Sequence, residues 1–225
     1  MKAIFHAHGA IYPKLKELQF THTEISVNAW PGNYLDVATM YRVAKKQGLH
    51  AIIDPGLLKD THQSLALLRE LPLTKDDMIY LPDEANIKGI APNALYFFHK
   101  AAKAIHPDTP TIATMSWIKP FQDYANCADI IAPDYYRHYK DLWSLAVFTY
   151  RVLRLKMKHK GKIVGVPAIR YGADHITKQQ WYWQNILGVK DLFWYSWSLD
   201  GGKWDPNDSG KSLTAYPDWQ TELIY

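Results

Sequence analysis

The chain predicts an α/β fold, a compact (β/α)₈ barrel spanning residues 1–225 as one catalytic domain, and two observations lead there. Strand-like and helix-like runs alternate along the whole 225 residues, and the strand-like runs number eight. Eight β-α units close into a barrel more naturally than they spread into an open doubly wound sheet. A third observation fixes the working end. The apolar run Met78–Leu81 meets Pro82, which withholds a backbone donor, and passes straight into Asp83 and Glu84. Those carboxylates are therefore expected at the carboxyl end of a parallel strand, where barrels of this kind keep their chemistry.

Taken in order, the expected strands are Ala3–His8, Thr23–Asn28, His50–Asp54, Met78–Leu81, Thr111–Ser116, Asp129–Pro133, Lys162–Pro167 and Asp191–Ser196. Each is short, rich in β-branched or other apolar residues, and bounded by polar or turn-forming ones. Between them, Lys14–Gln19, Leu35–Gln47, Thr61–Leu71, Pro92–Ile105, Pro120–Cys127, Leu142–His159 and Lys178–Leu187 carry helical periodicity. Gly48, Pro72, Pro107, Gly161 and Gly188 punctuate their ends. Trp143, Trp181, Trp183 and one of Trp194 and Trp197 are expected in the core.

Composition bounds the function classes. Hydrophobic residues make up 48% of the chain, enough for a sizeable core, and no apolar run reaches the length of a membrane span. MKAIFHAHGA is read as a first strand interrupted by histidines and not as a secretory signal. A lone cysteine, Cys127, excludes an intramolecular disulfide and leans towards a reducing, cytoplasmic compartment. The net charge of +4 is concentrated in Arg151–Lys162. There Val152, Leu153, Leu155 and Met157 are expected to form the buried side of a helix whose basic residues face solvent, and not a nucleic-acid patch. Neither nucleic acid nor membrane is expected as a partner. No phosphate loop, zinc-type cysteine cluster or internal repeat is present, so no cofactor is expected.

The expected strand ends converge on one rim: His6 and His8, Asn28 and Trp30, Asp54, Asp83 and Glu84, Ser116 and Trp117, Asp134 with Tyr135 and Tyr136, Arg170 and Tyr171, Trp197 and Asp200. Carboxylates among aromatic rings suit a carbohydrate substrate, whose C–H faces stack on rings and whose hydroxyls meet carboxylates. Hydrolysis of a glycoside needs an acid for the leaving oxygen, and Glu84 suits it. The seventh strand, KIVGVPAIRYG, offers Arg170 but no glutamate as the usual partner. An Asp beside the acid is instead the arrangement in which the substrate's 2-acetamido group attacks the anomeric carbon: Asp83 orients the acetamide while Glu84 gives and takes the proton.

Asp83-Glu84 after an apolar strand, with the late segment DLFWYSWSLDGGKWDP, resembles the catalytic barrel of glycoside hydrolase family 123 and its uncharacterised relatives. The resemblance implies acetamide-assisted hydrolysis of β-N-acetylgalactosaminides, with the paired roles falling on Asp83 and Glu84. Two other readings stay open. His6 and His8 have the alternate spacing of a metal-dependent amidohydrolase's first strand, with Asp200 as a further ligand. The same rim would also serve a carbohydrate-binding barrel without catalysis.

Overall fold

The computed structural model describes residues 1–5, 12–28, 34–136, 140–167 and 173–195, leaving the side chains of Tyr34, Leu35, Ala173 and Tyr195 aside. Its strands are β1 (Lys2–Phe5), β2 (His22–Ser26), β3 (His50–Asp54), β4 (Met78–Tyr80), β5 (Thr111–Ser116), β6 (Ile130–Tyr135), β7 (Lys162–Ile163), β8 (Val166–Pro167) and β9 (Leu192–Tyr195). Helices α1 (Tyr12–Glu17), α2 (Tyr34–Lys46), α3 (Thr61–Glu70), α4 (Pro92–Ile105), α5 (Leu142–Lys158) and α6 (Ala173–Trp181) connect them, and a π-helical stretch, Tyr182–Ile186, continues α6.

All the pairings are parallel, and they run β7-β6-β5-β4-β3-β2-β1-β9. The expected seventh strand is split: β7 and β8 both pair with β6, and between them Gly165 bridges to Leu192 of β9. The Gly165 amide donates to the Asp191 carbonyl (2.9 Å) and its carbonyl accepts from Phe193 (2.8 Å). That bridge closes the ring. A Cβ on residue 165 would lie 2.6 Å from the Trp183 ring and 2.9 Å from Leu192, so the closure requires glycine.

Strand alternation sorts the core into two shells. Phe5, Ile52, Met78, Tyr80, Ile112, Ile130, Ala132, Val164, Val166 and Phe193 fill the barrel interior, while Ile4, Ile25, Ile53, Ile79, Met115, Ile131 and Trp194 face the helices. The helices are fastened by local chemistry. Asp60 caps α3 through the Gln63 amide (3.0 Å), Asp141 caps α5 through the Ser144 amide (3.1 Å), and Pro92 opens α4 where no donor is needed.

Three expectations are corrected. Pro120–Cys127 forms only a 3₁₀ turn, Gln122–Tyr124, because Phe121 before it sits at φ −133°, ψ 2°, outside the helical region. Leu153 and Met157 belong to the outer face of α5 and not to its buried side, which is made by Phe148, Val152 and Leu155. Trp183 and Trp194 are core residues, but Trp143 and Trp181 are exposed. His6, His8, Trp30, Arg170, Tyr171, Trp197 and Asp200 lie outside the described residues.

Candidate active site

The site is built by the segment that follows β4. In that strand Met78 and Tyr80 point inward and Ile79 outward, so the Tyr80 hydroxyl stands in the barrel mouth. Residues 83–89 then form a succession of turns, and α4 opens only at Pro92. Asp83 and Glu84 thus do not sit at the N-terminus of a following helix. Their anchor is the neighbouring strand. The Tyr80 and Thr114 hydroxyls both lie on Asp83 Oδ1, at 2.7 and 2.6 Å, and the Glu84 amide donates to Thr114 Oγ1 at 3.2 Å. Asn86 completes the clamp: its amide group donates to the Ser116 carbonyl (2.7 Å) and accepts from the Ser116 N–H (2.9 Å).

Glu84 itself adopts φ 46°, in the left-handed region that a glutamate enters only at a cost. Of the other described residues, only Gln19, at the end of α1, and four glycines share positive φ. A strained backbone at the residue nominated as proton donor is the pattern expected where neighbours hold a side chain in a working position.

Two carboxyl groups at the mouth, Asp83 and Asp134, are in opposite electrostatic states. Burial works against the charge of Asp83, but the Thr114 hydroxyl, Lys88 (2.9 Å from Oδ2) and the Tyr80 hydroxyl outweigh it and hold the carboxyl below its usual range. Tyr80 keeps its proton, because burial and then the charges of Asp83 and Glu24 push its phenol well up. Asp134, at the end of β6, goes the other way. It is fully buried, faces Glu84 within hydrogen-bonding reach, and feels the charge of Asp83, so its carboxyl is pushed well above the carboxylate range. Its Oδ1 accepts from the Trp117 amide (3.2 Å), while Oδ2 meets no N–H or O–H donor among the described residues. A contact between two carboxyls is a hydrogen bond only when one of them carries a proton, and the fully buried Asp134 holds it.

The other expected rim residues divide. Asp54 and Asn28 come together, with Asn28 Nδ2 donating to Asp54 Oδ2 (2.9 Å), but Ser26 and the Gly56 amide also donate to Asp54, so this cluster fastens the β2 and β3 loops. Tyr136 packs partly buried over the barrel interior. Tyr135 is corrected: next to the inward Asp134 it must point outward, and its ring stacks on Phe148 (4.8 Å) beside Trp117 (5.6 Å) in the outer shell. Trp117 serves Asp134 through its backbone while its indole packs with Tyr135. Sequence reading missed Thr114, Tyr80 and Asn86 as the groups that position the pair. The first two are strand residues whose inward direction was the available signal. Among the described residues no cluster of three or more His, Cys, Asp or Glu side chains could hold a metal ion.

Compared with known proteins, the chain matches no family model and no curated protein. Its likeness is to solved structures. It superposes on a glycoside hydrolase family 17 β-1,3-glucanosyltransferase from Rhizomucor miehei with a TM-score of 0.60, at 8% identity, over 85% of each chain. A type I 3-dehydroquinate dehydratase from Clostridium difficile gives 0.59 at 10% identity, over 86% of this chain and 83% of that one. A β-glucuronidase from an uncultured Clostridium species gives 0.58 at 12%, over 87% of this chain and 43% of that one. These likenesses show the fold, a parallel α/β barrel shared by enzymes of different chemistry.

Proposed function

We propose that the chain is a glycoside hydrolase acting on N-acetylhexosamine-containing glycans, with the substrate's own acetamide as the nucleophile. The observation that carries this reading is the contact between Glu84 and Asp134. Two carboxyls that work as acid and nucleophile stand roughly 5 Å apart, and an inverting pair stands farther still. Groups within hydrogen-bonding reach leave no space for an anomeric carbon between them. Asp134 is therefore read as the partner of the acid and not as a second reacting group. Glu24, the other carboxyl inside the described barrel, registers with Ile52 and Met78, one inward layer below Tyr80. The glycosidase names of some structural neighbours agree with this reading only as fold-level analogy.

In the first step the proton that the pair shares, held on Asp134 at rest, passes to Glu84 and from it to the glycosidic oxygen as the C–O bond breaks, and the acetamide oxygen bonds to the anomeric carbon. Asp83, held ionised and with its side chain 45% exposed, accepts the acetamide N–H and steadies the positive charge of the cyclised intermediate. Asp134 stays within reach of Glu84 to take the pair's proton back. Water then opens the ring, and its proton returns to Glu84. Tyr136, and beyond the described residues His6, His8, Arg170, Tyr171, Trp197 and Asp200, are proposed to line the sugar. The test compares chromogenic N-acetylhexosaminides with the corresponding plain hexosides. Release from the acetamido substrates alone is expected; equal kcat/KM on both removes the acetamide from the mechanism, and release from neither removes the hydrolase.

A further inference from the structure

Helix α5 presents two apolar faces. Phe148, Val152 and Leu155 are buried against the barrel, while Trp143 (78% exposed), Tyr150 (61%), Leu153 (48%) and Met157 (82%) form a second stripe in solvent. Their spacing of seven, three and four residues places them on one side of the helix, and Ala146 falls on the same line. A barrel helix with nothing to cover would be polar here. The neighbouring element widens the face. Tyr182 bonds to Thr149, and Lys156 to the Leu187 carbonyl (2.8 Å), which sets the π-helical segment beside α5, with Trp181 and Ile186 exposed at its two ends.

Along α5 and the residues that follow it the charge has one sign. Residues 142–162 contain no Asp or Glu, and Arg154, Lys156, Lys158 and Lys160 are exposed. On the helical wheel Arg154 and Lys158 flank the stripe on one side and Lys156 on the other. Among the described residues Lys158 meets the exposed Asp123, at 3.4 Å, and Lys156 keeps an exposed stem beside its carbonyl bond.

We propose that this face of α5 docks on a lipid surface carrying anionic headgroups. The cations meet the headgroups while Trp143, Tyr150, Leu153 and Met157 enter the acyl boundary, where Trp and Tyr are at home. One occupant then accounts for both the stripe and its charge. A second copy of the chain accounts only for the stripe, since the segment carries no acid with which to meet its twin's cations. A nucleic acid accounts only for the charge. No membrane partner was expected because no apolar run in the sequence reaches span length, and no described helix is long and apolar enough to cross a membrane; a helix lying in the interface plane needs no such length.

The full chain is sedimented with phosphatidylcholine vesicles and with phosphatidylcholine vesicles containing phosphatidylglycerol. Binding to the anionic vesicles is expected to be roughly tenfold tighter or more. Met157→Glu and the double variant Arg154→Gln, Lys158→Gln should each lose roughly tenfold in that binding, with melting curves like the parent's because the altered side chains are exposed. Equal binding to neutral vesicles, binding to neither, or full binding by Met157→Glu overturns the proposal. So does a dimer in solution that Met157→Glu dissociates, which would give the face to a second copy.

Discussion

Two fully buried aspartates, one at each end of the barrel, have opposite fates. Asp77, at the foot of β4, accepts from the Ala51 amide (2.9 Å), the Thr74 amide and hydroxyl (2.9 Å each), Lys45 (3.0 Å) and Tyr41 (3.4 Å). Burial alone would raise its pKa, but the amides and the lysine reverse the sign and the carboxyl is held low. Asp134, at the mouth, has one amide donor and two carboxyl neighbours, and is pushed high. Depth alone does not decide the charge of a buried acid; the donors and charges around it do. The floor is closed by a charge satisfied several times over. The mouth keeps a proton in play, as the division between stabilising and catalytic ends of such barrels implies.

The comparison breaks most visibly under the same substitution at both ends. Asp77→Asn removes the charge that Lys45 and the amides were built to meet, and should cost about 3 kcal/mol of stability. Asp134→Asn replaces a group that is already neutral with one of the same shape, and should stay within about 1 kcal/mol of the parent. Urea unfolding of both variants near pH 7 measures this. Similar losses at the two positions would show that Asp134 is ionised after all.

Next in size is the effect on turnover. Glu84→Gln keeps the shape of the side chain but carries no transferable proton, so kcat/KM on a substrate with a poor leaving group should fall roughly a hundredfold or more. A phenolic leaving group, which departs without help, should lose less. Rates near the parent's on both would remove Glu84 from the chemistry.

The floor has its own pH response. Burial, opposed by the Asp76 carbonyl and reinforced by nearby His50, lowers the His22 pKa from 6.5 to about 4. The unfolded chain therefore takes up a proton below pH 6.5 that the folded chain refuses until pH 4. Stability from this group is complete above pH 6.5 and is lost as pH falls towards 4, by up to about 3 kcal/mol. Unfolding of the parent and of His22→Gln at about pH 7 and about pH 5 should show a flatter dependence in the variant. Parallel curves would mean that His22 is not the responsive group.

Much of the barrel was legible because each stave is a short buried run, and residues 50–54 and 111–116 agree end to end with β3 and β5. The break at Gly165 was not, since it depends on how closely the Trp183 ring approaches from a later helix. Asp83, Glu84 and Asp134 were legible as strand-end acids. Their relation was not, because the contact joins β4 to β6 across the mouth. Tyr135 was misplaced for a simpler reason: consecutive residues of a strand cannot all face one rim. The outer stripe of α5 looked like core because apolar periodicity reports a face and not what covers it.

The smallest expected effect sharpens the comparison most. If the mouth stores strain that the floor does not, part of it lies in the φ of 46° at Glu84. Glycine enters that region freely, although it also makes the unfolded chain more flexible. The balance favours relief: Glu84→Gly should be more stable than Glu84→Gln by about 1 kcal/mol, a rise in Tm of about 2–4 °C. Glutamine is the proper reference because it removes the acid and keeps the strained backbone. Both variants should be down roughly a hundredfold or more on the poor leaving group, so the gain would mark stability given up to hold the acid in place. A Glu84→Gly protein that melts at or below Glu84→Gln would mean that the turn itself, tied through Thr114 and Asn86, tolerates a left-handed glutamate without measurable cost.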